Sequence, residues 1–327
     1  MTQNFTMLHV DQLFFSYQQK TTLQRLSFSV EKGKNLAVIG ESGCGKSTLL
    51  KLIYGLHDLD AGQIRWQNQA VLGPKFHLIP GMPYMKFLAQ DFDLMPYTTV
   101  AENVGAFLSN VYKTEKNNRI SELLATVEML EFAHEKVKNL SGGQMQRVAI
   151  AKVLALEPEL LLLDEPFSHI DNFRKNSLRR KLFAYLKAQG IGCVFATHDT
   201  HDILGFADDI VVLKDGQKVA QGSPMELLNN PPDFYTASLF GEVNALPATW
   251  FHTTDSAETH LFYAHQLRVV PKGKIQVEVI TSYFQGTHFL VESNCQNQVV
   301  FFQHPIALEK GVIVSLNVQP TTALTTY

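Results

Sequence analysis

The chain has 327 residues, enough for one large core and more naturally for two domains. Hydrophobic residues make up 45% and charged residues 18%, the balance of an ordinary globular protein and not of a disordered or membrane-spanning one. The formal net charge of -3 supplies no global attraction to nucleic acid or to an anionic membrane, so any phosphate recognition must be built locally.

In chain order, residues 7–39 read as strands: Leu8 and Val10 alternate with polar neighbours, as do Leu26, Phe28 and Val30. Lys32-Gly33 is a turn, and Leu36–Ile39 is an apolar run suited to a strand buried on both faces. Gly40–Gly45 is glycine-rich, and a helix is expected to open at Ser47. Residues 100–137 are expected to be helical, with Ile120, Leu123, Leu124, Val127 and Leu130 at helical spacing. A second helix is expected over 144–156, a buried strand at Leu160–Leu163 and a basic helix over 172–188. Further strands are expected at Gly192–Thr197 and Ile210–Leu213. Strands alternating with helices imply a mainly parallel α/β sheet. Beyond about residue 243 helical periodicity disappears, and Ile275, Val277 and Val279 alternate with polar residues. Strands are also expected at Phe289–Val291, Val299–Phe302 and Val312–Val318, giving a small all-β unit, expected to be a barrel. Three sparse cysteines (Cys44, Cys193 and Cys295) lack CxxC spacing, which excludes a disulfide framework and fits a reducing compartment. No signal peptide is expected from the opening MTQNFTMLHVDQL, and no apolar run approaches the roughly 20 residues of a membrane span.

Gly40-Glu41-Ser42-Gly43-Cys44-Gly45-Lys46-Ser47-Thr48 matches G-x-x-x-x-G-K-[ST] between an expected strand and an expected helix. Glycines let the backbone wrap a polyphosphate, and a helix N-terminus points N–H groups at it. Lys46 adds a point charge, and Ser47 can ligate Mg²⁺. The apolar run Leu160–Leu163 ends in Asp164-Glu165, where ligands bind in open α/β sheets. Asp164 can hold the metal shell, and Glu165 can act as general base on water. Ser141-Gly142-Gly143-Gln144, opening the next apolar helix, supplies a further anion-binding helix N-terminus. Cys44, beside Lys46 and a helix N-terminus, is expected to have a lowered thiol pKa, so that its alkylation would block nucleotide binding and bound nucleotide would protect it.

With Leu140–Gln144 in hand, the sequence closely resembles the ATP-binding cassette family over about residues 7–240. The resemblance implies a P-loop NTPase cassette with a helical subdomain at about 91–140. It assigns Tyr17 to adenine stacking, Gln90 to Mg²⁺ and the attacking water, Asp171 to the loop Ser168–Asp171, and His198 to the γ-phosphate. It also implies a head-to-tail homodimer in which ATP lies between Gly40–Thr48 of one copy and Ser141–Gln144 of the other. The remainder, 241–327, with the junction Ser238–Asn244, resembles the TOBE or MOP-like unit of importers for iron, polyamine, sulfate and maltose. The expected protein is therefore an importer ATPase at the cytoplasmic face of the inner membrane. Its expected partners are permease subunits docking near Gln90–Tyr97 and, indirectly, a periplasmic or lipoprotein solute-binding protein, with iron or polyamine as solute and no nucleic acid. A soluble ABC-type ATPase and an exporter subunit are the alternatives. Phe92, Leu94, Met95 and Tyr97 fit either a docking surface or core beneath a loop. Three departures from the family pattern stand out: Ser-His-Ile-Asp at 168–171 in place of Ser-Ala-Leu-Asp, Leu267-Arg268-Val269-Val270-Pro271 in place of an Arg-Pro-Glu cluster, and a Pro-, Gly- and Met-rich stretch at Leu72–Met85.

Overall fold

The structure, a computed structural model, describes residues 6–18, 20–77, 79–89, 91–250 and 259–318. The chain divides into two compact units, Met1–Pro224 and Met225–Tyr327. This division falls earlier in the chain than the expected boundary at 240/241.

In the first unit the strands and helices run β1 (Thr6–Tyr17), β2 (Lys20–Glu31), β3 (Asn35–Ile39), α1 (Lys46–Ile53), β4 (Ala61–Trp66), β5 (Gln69–Ala70) and β6 (Met85–Leu88), then α2 (Val100–Val104), α3 (Lys113–Thr126), α4 (Gly142–Leu154), β7 (Leu160–Asp164), α5 (Asn172–Gln189), β8 (Gly192–Ala196), α6 (Thr200–Phe206), β9 (Asp209–Lys214) and β10 (Gln217–Gly222). Two sheets form. One is antiparallel, in the order β2-β1-β4-β5. The other has the order β10-β9-β3-β8-β7-β6 and is parallel except for β10. Every residue of β7 and β8 is buried, as their unbroken apolar sequences require of strands covered on both faces. The antiparallel sheet shows the alternation of a one-face-buried strand: in β2, Leu26, Phe28 and Val30 are inside while Ser29 is exposed. A bulge at Gln12 (φ 45°) shifts the register of β1 between Val10 and Leu13. Side chains of both sheets and of α1 share one hydrophobic cluster.

The helix expected over 100–137 is broken. It resolves into α2, α3 and two short 3₁₀ turns at Leu130–Phe132 and Val137–Asn139. Gly105 caps α2, whose first turn is closed by a reciprocal Thr99–Glu102 capping box, and Glu128 at φ 57° reverses the chain after α3. Among its described residues the stretch Leu72–Met85 has no helix or strand before β6, yet its end is packed. Val71 is buried, Met82 and Tyr84 pack on the main cluster, and Tyr84 stacks on Trp66 at 4.9 Å.

The second unit carries α7 (Pro224–Asn229), starting at the division, and α8 (Phe234–Ser238), then β11 (Val243–Pro247), β12 (Thr259–Tyr263), β13 (Leu267–Val270), β14 (Ile275–Phe284), β15 (Phe289–Cys295), β16 (Gln298–His304) and β17 (Ile313–Val318). β11 pairs with β12, and the other five form an antiparallel sheet in the order β13-β17-β14-β15-β16. The alternating residues Ile275, Val277 and Val279 point into a core with Val291, Val300, Phe302 and Leu316. This all-β region is consistent with an OB-like domain.

Asn103 on α2 organises the segment before that helix. Fully buried, it accepts from the Met95 amide at 2.8 Å and donates to Met95 O, Thr98 Oγ1 and Thr99 O at 2.8–3.0 Å. Asn103→Ala strands these groups in the interior, so it is expected to destabilise the fold by about 2 kcal/mol. Urea unfolding followed by circular dichroism measures this, and a loss below about 0.5 kcal/mol contradicts the assignment.

Candidate active site

The loop Gly40–Gly45 joins β3 to α1 and is shaped by its glycines. Gly40 lies at φ 146°, and a Cβ there would sit 2.2 Å from Leu213 O. Gly45, in the left-handed region at φ 108°, lies where a Cβ would meet Leu23 at 2.5 Å. The loop thus folds tightly over β2 and β9 before opening α1. Lys46 turns back over it and donates to Gly40 O at 2.7 Å and Glu41 O at 2.9 Å. The ammonium is thereby held above the loop that would receive an anion.

Across the parallel sheet, β7 delivers Asp164 and Glu165. Ser47 Oγ donates to Asp164 Oδ1 at 3.0 Å, which sets a hydroxyl and a carboxylate side by side. Asp164 is 4% exposed, and burial, with the neighbouring Glu165 charge, pushes its carboxyl up despite the Ser47 hydrogen bond. Hard oxygen donors so placed suit Mg²⁺, which characteristically takes one or two protein ligands together with phosphate oxygens and water. Glu165 adopts φ 50°, a left-handed conformation in a non-glycine residue. Its carboxylate meets His198 Nδ1 at 2.9 Å, and the His198 side chain is largely exposed.

A buried charge network sits behind His198. Arg179 on α5, 3% exposed, pairs with both Asp199 and Asp202, and Lys175 approaches Asp199 at 3.7 Å. Thr197 donates to Asp202 at 2.7 Å and accepts from the Asp199 amide at 3.1 Å. Burial raises the Asp199 carboxyl, but Arg179, the His201 amide and Lys175 outweigh it and hold it below its usual range. The backbone on both sides of His198 is therefore fixed.

The helix α4 opens in a cavity of about 520 Å³, lined by Ser141, Gly142, Gly143, Gln144, His169, Ile170, Asp171 and two arginines, Arg147 and Arg174. Ser141 caps α4 by a reciprocal box: its Oγ accepts from the Gln144 amide at 3.3 Å, and its own amide donates to Gln144 Oε1 at 2.8 Å. Gly142 faces open space, whereas a Cβ on Gly143 would lie 2.6 Å from His169 O. Arg147 is buried and donates to Glu128 O at 2.9 Å.

Lys46, Ser47, Asp164, Glu165 and His198 thus come together, while Ser141–Gln144 and Asp171 gather at the α4 cavity. Tyr17 is partly exposed at the end of β1. Its hydroxyl meets His57 Nε2 at 3.1 Å, and its ring packs edge-on against Phe15. Gln90 lies outside the described residues. In the segment after it Met95 and Tyr97 are exposed and Phe92 and Leu94 half-buried. The expectation for Cys44 is corrected. Its side chain is buried, and that burial pushes the thiol up against the opposing pull of Lys46. Sequence reasoning missed His57, Gln146 and the Arg179 network. Gln146 lies two residues beyond the Ser141–Gln144 motif, and all three act through tertiary contacts that no local pattern signals.

Comparison with known proteins places these features. The family model described as ABC transporter matches residues 23–168, from within β2 to just past Glu165. The spermidine/putrescine import ATP-binding protein PotA of Pasteurella multocida is 34% identical over 249 residues, 76% of this chain and 66% of that protein. The match therefore spans slightly less than two thirds of this relative's length. Among solved structures, CbiO1 from Clostridium perfringens, part of the ABC transporter complex cbiONQ, aligns with TM-score 0.61 and 27% identity over 69% of this chain and 91% of its own. The cassette MJ0796, solved as a dimer in a post-hydrolysis state bound to ADP and Pi, aligns with TM-score 0.59 and 27% identity over 67% of this chain and 99% of its own. The family match covers the loop, the acidic strand end and the capped helix of the candidate site, so over these residues the chain is similar to ABC transporter ATP-binding proteins.

Proposed function

We propose that the chain is the ATP-hydrolysing subunit of an ABC importer, working as a homodimer under separate membrane-embedded permease subunits. The observation that carries this reading is the meeting, at one edge of a parallel sheet, of Lys46 over a glycine loop, the Ser47–Asp164 pair and the Glu165–His198 pair. In this reading residues 1–240 form the cassette and 241–327 a TOBE-like regulatory domain. No helix among the described residues is long and apolar enough to cross a membrane, so attachment at the cytoplasmic face would run through the permeases, docking near Gln90–Tyr97. The solute would arrive from a periplasmic or lipoprotein binding protein. Polyamine is preferred over ferric iron, because the relative is named for spermidine and putrescine import. The alternatives of a soluble ABC-type ATPase or an exporter subunit draw no support from that relative.

The chemistry follows from the residues in place. Backbone N–H groups of Gly40–Thr48 cradle the β- and γ-phosphates, and Lys46 exchanges its loop carbonyls for phosphate oxygens. Tyr17 offers the adenine a flat face. Ser47 and Asp164, with Gln90, would hold Mg²⁺, which supplies charge neutralisation on the phosphates. Glu165 takes a proton from the attacking water as that oxygen bonds to the γ-phosphorus and the bond to ADP breaks. The hydrogen bond from His198 aims the Glu165 carboxylate and leaves the exposed imidazole free to meet the γ-phosphate. Ser141–Gln144 and Asp171, gathered at a separate cavity, would serve the nucleotide of a second copy.

Glu165→Gln keeps the shape of the site but removes the base, so turnover should fall at least about a hundredfold. The purified variant, followed by light scattering, is expected to be a monomer that becomes a stable dimer with Mg-ATP. A variant that binds ATP but never dimerises overturns the shared-site reading. Cys44 should react slowly: at pH 7 its alkylation by N-ethylmaleimide, followed by peptide mapping, is expected to run about tenfold or more slower than that of an exposed thiol. Bound ATP should slow it further, and a rate matching a free cysteine peptide contradicts the buried, protonated thiol.

A further inference from the structure

Gln146 is 2% exposed and spends both ends of its amide on the loop that follows β7. Its Nε2 donates to Glu165 O at 2.9 Å and reaches Ser168 Oγ at 3.5 Å, and its Oε1 accepts from the His169 amide at 3.1 Å. Ser168 closes the clamp, its amide and hydroxyl both donating to the same Glu165 carbonyl, at 3.2 and 3.0 Å. Glu165 therefore keeps its left-handed φ of 50° because three donors hold its carbonyl. One turn earlier on α4, Gly143 seats its bare Cα against His169 O, so a second contact ties the same helix face to the same loop.

The exposed side of this clamp is a histidine, His169. The His169 ring meets Ser168 Oγ through Nδ1 at 3.1 Å and packs edge-on against Phe92, ring centres 5.5 Å apart. Phe92 and Asp93 both have positive φ, 56° and 45°, and Lys152 at the far end of α4 pairs with Asp93 at 3.1 Å. The segment after Gln90 is thus pinned to α4 by Lys152 and touches, through Phe92, the residue that α4 holds through Gln146.

We propose that Gln146 and His169 are positioning residues that couple the Phe92 segment to the Glu165–His198 pair. Movement of the segment is felt at His169, passes through the Gln146 and Ser168 hydrogen bonds to the Glu165 backbone, and changes the aim of its carboxylate toward water. The inference rests on the ATPase reading above. It assigns His169 a task that alanine at the same position could not perform, because alanine offers no ring to Phe92 and no nitrogen to Ser168.

The test is a kinetic cycle on the full chain with Phe92→Ala, His169→Ala and the double variant, together with Gln146→Met. His169 is exposed and Phe92 half-buried, so these two variants should fold, as melting curves near the wild-type curve would verify. Each is expected to lower kcat about three- to tenfold with KM for ATP unchanged within about twofold. The double variant should be no slower than the worse single one, because both act through one contact. Gln146→Met should cost about tenfold or more in kcat, again without a rise in KM. With Glu165→Gln added, Mg-ATP should still lock the dimer, since binding is untouched. Multiplicative losses in the double variant, or a rise in KM in place of a fall in kcat, overturn the coupling. If Gln146→Met does not fold, the Phe92–His169 cycle alone decides. A wild-type chain that hydrolyses ATP while the cycle is additive sinks only this inference; one without any turnover sinks the ATPase reading and this inference with it.

Discussion

Burial of short parallel strands on both faces is the constraint on which the candidate site depends. With no polar position inside the layer, β3, β7 and β8 can carry polar groups only where they leave the sheet. Register then decides which groups meet. Val38 pairs with Ala196 and Ala196 with Asp164, so the three strands end abreast. One step further along each lie the approach to Gly40, the Thr197–His198 pair and Glu165. Apolar strands that look generic in isolation thereby fix a lysine, two carboxylates and a histidine within hydrogen-bonding reach of one another or of one loop.

Such a rim is electrostatically unfavourable by itself, and the structure shows how it is tolerated. Asp164 leans on the Ser47 hydroxyl, and Glu165 on His198. Behind them Asp199 and Asp202 share the buried guanidinium of Arg179, which also lies over the Phe167 ring at 5.5 Å. Removing one partner from a buried pair of this kind leaves a charge unpaired, at a cost of about 3–5 kcal/mol. The network therefore ties the stability of the α5–α6 region to the geometry of the loop that presents His198.

What was legible in the sequence was whatever is written locally. Glycine spacing announced the P-loop, the apolar run before Asp164 announced a buried strand, and alternation at Leu26, Phe28 and Val30 announced a sheet with one covered face. What was hidden depends on contacts distant in sequence. The periodicity of residues 100–137 gave no warning of the breaks at Gly105 and Glu128. The proximity of Lys46 to Cys44 pointed to an acidic thiol, but burial by neighbouring elements outweighs that charge. Likewise Tyr84 is ordered by stacking on Trp66, from a strand well before it, which is why a stretch rich in proline and glycine is nevertheless packed.

The helix α4 occupies both sides of this division between local and distant signals. Its first turn, Ser141–Gln144, is a local motif that closes a cap and lines one cavity. Its next residues turn inward, where Gln146 and Arg147 are buried among backbone carbonyls of the 165 and 127–128 loops. A helix of 13 residues held by such contacts moves as a body more readily than it bends. One helix thus lines the Ser141–Gln144 cavity with its first turn and holds the Glu165 carbonyl through Gln146.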